Sequence, residues 1–219
     1  MYYDASALIK YFPYFLPAAW MTIKISVLGI LLGLGLGLSA AFARISRRTV
    51  LNAPARAYVY VIRGTPLLLQ LLFIYYGMRS VAGLDAVPSA VLALGVHNGA
   101  YIGEVFRGAI QSIAPGQMEA ARSLGMSHCR AMIRIILPQA LKRAVPPLGN
   151  QFIIALKDSS LASAITINEL LLKAQQLASS NFMMMEMLTV AAFFYLFYTG
   201  VFTWLFARVE ARLAVSART

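Results

Sequence analysis

Charge is scarce in this chain, and negative charge scarcest: 12% of its 219 residues are charged, with 8 Asp and Glu against 19 Lys and Arg. Soluble domains are charged at roughly a quarter of positions. With 60% hydrophobic residues and a mean hydropathy of +0.71, the composition excludes that class and points to a membrane protein. Cysteine is nearly absent, and Cys129 alone rules out an intrachain disulfide while leaving the redox compartment open. The phosphate-cradling pattern G-x-x-x-x-G-K-[ST] does not occur, nor do H-E-x-x-H, a Cys/His cluster at zinc spacing or G-x-S-x-G. An intramembrane enzyme is therefore disfavoured, and no metal or cofactor is expected on the chain. A cleavable signal is not expected either. Lys10 is the one early positive charge, and Pro13 and Pro17 interrupt the place of an apolar core, so the first span should remain in the mature protein.

What is present reads as an all-α, polytopic protein forming a single transmembrane domain over 1–219, with five spans of about 20 residues. They are expected at about 20–43, 58–78, 87–106, 143–165 and 187–207, with a long polar connection over 107–142. In the first span Gly29, Gly33 and Gly37 form a ladder at four-residue spacing, which lets helix backbones approach closely in lipid. Pro66 removes a backbone donor and should bend the second span. After the fourth span, Leu170, Leu171, Ala174 and Leu177 recur at helical spacing, reading as an amphipathic helix on the outer surface or as a re-entrant segment.

Five spans put the N-terminus outside and the C-terminus inside. The basic residues then sort by side. Arg44, Arg47, Arg48 and Arg56, then Arg107, Arg122, Arg130, Arg134, Lys142 and Arg143, then Arg208, Arg212 and Arg218 all fall inside, against Lys10, Arg79 and Lys173 outside. This bias accounts for the net charge of +11, so contact with membrane lipid is expected and nucleic acid is not.

Ionisable groups in hydrocarbon are costly and mark candidate sites. Arg63 and Glu104 lie at similar depth, which suggests a structural ion pair. Asp158 stands with Ser159, Ser160 and Ser163, and Asn150 and Gln151 continue the polar stripe after Pro146 and Pro147. A carboxylate with hydroxyls and amides suits a zwitterionic solute carrying an ammonium group. Thr65, Gln70, Asp158, Ser159 and Ser160 are the candidate lining of a solute route, with Asn98 and Asn150. The pair His97 and Asn98 reads either as an interhelical hydrogen bond or as part of a pore.

The polar connection holds a distinctive pattern: E-A-A at Glu119, Ala120 and Ala121, three residues, Gly125, nine residues, then I-x-L-P ending in Ile135, Leu137 and Pro138. Gly125 permits a positive-φ turn, Pro138 is tolerated where a helix begins, and Glu119 offers a carboxylate to a partner. A short helix over about 127–136 should set Met132, Ile133 and Ile136 on one side and Arg130 and Arg134 on another. The pattern resembles the signature loop of permease subunits of ATP-binding-cassette importers. I-R-G-T-P-L-L-L-Q at 62–70, A-Y-I-G-E-V-F-R-G-A-I at 100–110 and P-P-L-G-N-Q-F-I-I-A-L-K-D-S-S-L at 146–161 are similar to the polar amino acid permeases, the branch with the histidine, glutamine and cystine systems.

That resemblance implies the five-helix core of a type I importer in the inner membrane of a bacterium. It implies a coupling role for 119–138 against an ATPase dimer that binds ATP and Mg, and an external amino acid-binding protein. With no internal repeat, a second permease chain, identical or related, is also implied. I-Y-Y-G at 74–77, V-P-S-A at 87–90 and E-L-L-L-K-A-Q at 169–175 look most like cystine permeases. The alternative is an ion-gradient-driven secondary transporter using Glu104 and Asp158 as proton sites.

Overall fold

The computed structural model describes residues 4–215, so Arg218 of the C-terminal basic group lies outside the described residues. These residues are all helical or connecting. Nine α-helices run in order: α1 (Ala5–Ile45), α2 (Thr49–Arg63), α3 (Leu67–Ala82), α4 (Ala86–Gln111), α5 (Pro115–Ser123), α6 (His128–Ala131), α7 (Leu137–Asp158), α8 (Leu170–Asn181) and α9 (Met184–Val215). A π-helical turn, Met132–Ile136, joins α6 to α7, and a 3-10 helix, Ser159–Ile165, follows α7.

Helix α1 begins well before the expected first span and runs through Pro13 and Pro17. Each proline removes one backbone donor, a loss that a helix tolerates where neighbours pack on it. Here Phe12 and Phe15 stack on Phe194 of α9, with ring centroids 4.7 and 6.2 Å apart. The Asp4 carboxylate caps α1, accepting the Ser6 N–H at 2.9 Å and the Ser6 hydroxyl at 2.6 Å, which holds it below the usual carboxylate range.

Around α4 the bundle is tightest. Ala90, Ala93, Asn98 and Ala100 are fully buried, and the glycine ladder of α1 lies against a second ladder on α4, Gly95, Gly99 and Gly103. A Cβ on Gly37 would sit 2.6 Å from Ile102 Cγ2 and 2.9 Å from the Gly103 nitrogen, and one on Gly33 would sit 3.2 Å from the Gly95 oxygen and the Gly99 nitrogen. Close backbone approach is thus what both ladders provide. At Gly99 the missing side chain also leaves room for Tyr58, whose hydroxyl donates to Val96 O at 2.6 Å.

The second expected span is not one bent helix. It breaks between α2 and α3, which diverge by 109°. Pro66 disfavours helical geometry at Thr65, and α2 ends at Gly64. The expected fourth span is helical throughout, but its last seven residues, Ser159–Ile165, tighten into the 3-10 helix. Helix α8 does not simply rest on a surface: Leu170, Ala174 and Ala178 are buried with Ala7, Phe15 and Ala19 of α1 and Met187 and Phe194 of α9.

Among the described residues, Ala5–Ile45 and Met184–Leu213 are each long and apolar enough to cross a membrane, and α2 with α3 forms a third, broken candidate. Helices α4 and α7 are 26 and 22 residues long but not apolar enough by themselves. They carry the polar groups that the bundle encloses.

Candidate functional site

Three sets of polar residues stand out, and the first two owe their positions to a break in helical regularity. The first surrounds the α2–α3 break, which frees backbone carbonyls that need donors. The Gln70 amide supplies them, donating to Ile62 O at 2.7 Å, Thr65 O at 3.0 Å and the Thr65 hydroxyl at 2.8 Å. Its carbonyl oxygen faces His97 Nδ1 at 3.0 Å. One residue on, Asn98 donates to Leu94 O and accepts from the Gln151 amide, both at 2.8 Å. His97 and Asn98 therefore both make interhelical hydrogen bonds, α4 to α3 and α4 to α7. Thr65 and Gln70 are fastened in a turn and Asn98 is fully enclosed, whereas Asn150 is exposed on α7.

A second set lies around the 3-10 helix. Asp158 is half-buried at the end of α7, and among the described residues its carboxylate accepts no hydrogen bond. Ser159 is fully buried and donates to Leu156 O at 2.7 Å. Ser160 and Lys157 instead line an open cavity of about 610 Å³ against Ala192, Tyr195, Leu196 and Thr199 of α9. The polar stripe therefore does not face one space. Sequence reasoning missed the neighbouring Glu169, which is fully buried. Its carboxylate caps α8 by accepting the N–H groups of Leu171 at 2.9 Å and Leu172 at 2.7 Å, and it accepts the Tyr195 hydroxyl at 2.9 Å. Thr22 of α1 joins this junction by accepting the Leu170 N–H at 3.3 Å. The available signal was an acidic residue just before an apolar helical run.

The third set is ionic. Arg63 Nη1 is 3.7 Å from Glu104 Oε2, as their matched depth suggested. Glu104 also pairs with Arg44 and with Arg107, the latter through two contacts of 3.1 and 3.0 Å. It is a hub of three guanidiniums rather than one member of a pair, and Arg63 additionally lies over the Tyr101 ring at 5.2 Å.

Beyond these, residues 115–138 form the segment with the E-A-A pattern. Helix α5 ends in a Schellman motif: Met126 N–H bonds to Ala121 O at 3.1 Å and Gly125 N–H to Arg122 O at 3.0 Å, with Gly125 at φ 80°. The left-handed turn expected at Gly125 is present. Ser127 then caps α6, accepting from Arg130 N at 3.3 Å. The expected second helix is not separate, because the π turn carries it straight into α7. Leu137 N–H bonds to Met132 O, and Pro138, with no N–H to give, follows directly. Ala121 is buried while Ala120 is exposed, so one alanine of the pair packs inward. Ile136 is buried, Ile135 and Leu137 are half-buried, and Pro138 is exposed. Ile133, expected beside Ile136, is instead 58% exposed; the π turn offsets the face it would have shared. With Leu124 at 84% exposure and Glu119 also exposed, this surface presents apolar and acidic groups that its own chain leaves uncovered.

Long apolar helices enclosing hydrogen-bonded amides define a helical membrane protein. The description "binding-protein-dependent transport system inner membrane component" matches residues 29–215, and the chain belongs to that family. It is 39% identical over 218 residues to the glutamine transport system permease protein GlnP of Escherichia coli (strain K12), covering 98% of this chain and 100% of the relative. With the L-cystine transport system permease protein TcyB of Bacillus subtilis (strain 168) it shares 41% identity over 173 residues, 78% of this chain and 74% of the other. A crystal structure of an amino acid ABC transporter with histidines superposes at a TM-score of 0.90 with 39% identity, over 97% of this chain and 100% of that one.

Proposed function

We propose that this chain is the permease subunit of an ATP-driven importer, carrying a polar L-amino acid across the inner membrane of a bacterium. The observation that carries this reading is the end-to-end likeness to amino acid transport permeases. The segment Glu119–Pro138, folded as a capped, partly exposed coupling element, supports it. Cystine is placed ahead of glutamine and the basic amino acids on the motifs at 74–77, 87–90 and 169–175. The chain crosses the membrane five times as one domain, with α2 and α3 together as the second span, the N-terminus outside and residues 107–142 in the cytoplasm. An ATPase dimer holding ATP and Mg docks on Glu119, Leu124 and Ile133. A binding protein delivers solute from outside, and a second permease chain completes the route. Asp158 and Ser160, with accessible side chains, are the strongest candidates to meet solute; Gln70, Thr65, Asn98, Ser159 and Asn150 shape the surrounding helices.

Reconstitution tests this directly. Proteoliposomes holding the permease, its ATPase and its binding protein should take up labelled cystine in an ATP-dependent manner, with glutamine and arginine as comparison solutes. Uptake driven by a proton gradient without ATP would instead establish the secondary transporter. Asp158→Ala should abolish or strongly reduce solute transport while leaving assembly intact; unchanged transport removes Asp158 from the route. The single thiol, Cys129, is exposed, so an impermeant maleimide should label it in inside-out vesicles and not in right-side-out ones. The opposite labelling reverses the topology.

A further inference from the structure

Four guanidiniums and one carboxylate gather where α1, α2 and α4 meet. Glu104 pairs with Arg44, Arg63 and Arg107. Arg107 engages both of its oxygens, so the lone pairs of a single carboxylate are shared among three forks of donors. Arg44 Nε is buried and has no hydrogen-bond partner among the described residues. A fourth arginine, Arg56, stands on α2 two turns before Arg63 and among the described residues makes no ion pair or hydrogen bond. Between them opens a cavity of about 530 Å³ lined by Arg44, Arg56, Val59, Tyr60, Arg63, Gly64 and Glu104. Among the described residues, Glu104 is the one acidic side chain that lines the cavity, against the three arginines Arg44, Arg56 and Arg63, so positive charge is in surplus there.

Arginine forks match tetrahedral oxyanions in geometry as well as charge. Basic pockets between membrane helices are suited to acidic headgroups. Helix α2 adds apolar residues at the mouth, for Tyr60 is 82% exposed and Val61 55%. We propose that this cavity binds a phosphate group, carried by the headgroup of an anionic phospholipid or free in solution. Glu104 acts as the internal counter-ion that keeps the guanidiniums gathered, and the incoming phosphate takes the donors it leaves unused. The inference rests on the membrane reading of the bundle and is independent of which solute is transported.

The test uses the full chain, purified in neutral detergent and relipidated with phosphatidylcholine. Phosphatidylglycerol is titrated and the bound lipid counted by native mass spectrometry; in a second arm inorganic phosphate is added as competitor and, alone, as ligand in a thermal-shift titration. Arg56→Gln is the informative variant, because Arg56 is exposed and the hub around Glu104 is made by the other three arginines, so the hub survives its removal. It should weaken binding about fivefold, while Arg48→Gln, outside the cavity, should leave it unchanged. Phosphatidylglycerol retained against competing phosphate assigns the site to lipid; a shift with inorganic phosphate alone assigns it to the soluble ion. Binding that Arg56→Gln leaves unchanged, equal weakening by Arg48→Gln, or no binding of either ligand overturns the proposal.

Discussion

In the bundle interior Gln70, His97, Asn98 and Gln151 direct their polar groups at one another and at carbonyls freed by the α2–α3 break. Residues 115–138 do the reverse, leaving Glu119, Leu124 and Ile133 to solvent while the backbone is secured by a Schellman turn and a serine cap. These four side chains are each engaged inside the bundle, because an unsatisfied polar group there costs far more than one in water. The segment over 115–138 has a firm backbone and an uncommitted surface, as the proposed docking role requires. Substitutions should therefore cost stability inside and cost partnership outside.

Thermal unfolding in detergent can break that contrast, and Gly37→Val should have the largest effect. The added atoms would meet Ile102 and the Gly103 backbone, and overpacking of this kind costs about 1–3 kcal/mol or more. Next comes Gln70→Leu, which leaves the carbonyls of Ile62 and Thr65 without their donor, a loss of about 1–3 kcal/mol that proteolysis near residue 64 should report as local opening. Smaller again is the coupling between Asn98 and Gln151. A double-mutant cycle to alanine should give roughly 0.6 kcal/mol, up to about 1.7, and a value of zero would show that their hydrogen bond does not hold α4 to α7. Smallest is Leu124→Ser, expected to change stability by no more than about 0.5 kcal/mol. The same variant should markedly weaken co-purification of the ATPase, and retention of both stability and partner would remove Leu124 from the docking surface.

Between the extremes lies Gly125, whose substitution sharpens the comparison because it touches the backbone of the exposed segment. At φ 80° a side chain costs roughly 1–2 kcal/mol, and Gly125→Arg should uncouple uptake from ATP hydrolysis while the rest of the bundle keeps its helix content by circular dichroism. Intact ATP-driven uptake by that variant would remove the coupling role from the turn.

Legibility in the sequence followed how local each feature is. The Gly29, Gly33, Gly37 ladder and the left-handed turn at Gly125 show in spacing along one segment, and the depth match of Arg63 with Glu104 follows from placing two apolar segments in one membrane. The partner ladder on α4, Gly95, Gly99 and Gly103, has the same four-residue spacing, but its role depends on α1 lying against that face, which no local pattern encodes. Pro66 announced a disturbance but not a 109° turn, since the angle depends on Gln70 reaching back to close the break. Arg44 could not be assigned to Glu104 without knowing that the end of α1 lies beside α4. Glu169 read as part of a short motif, and its burial depends on α1 and α9 closing over it.

Composition and local pattern by themselves determined the membrane character, the all-α class, the chief apolar segments and the signature segment with its glycine turn, because each arises from side-chain hydropathy or from φ preference within a few residues. Tertiary structure alone decided which polar groups became structural links, how one carboxylate came to hold three arginines and which loop residues stayed uncovered. Those outcomes depend on contacts between residues distant along the chain, as between Thr22 and Leu170 or Gln151 and Asn98.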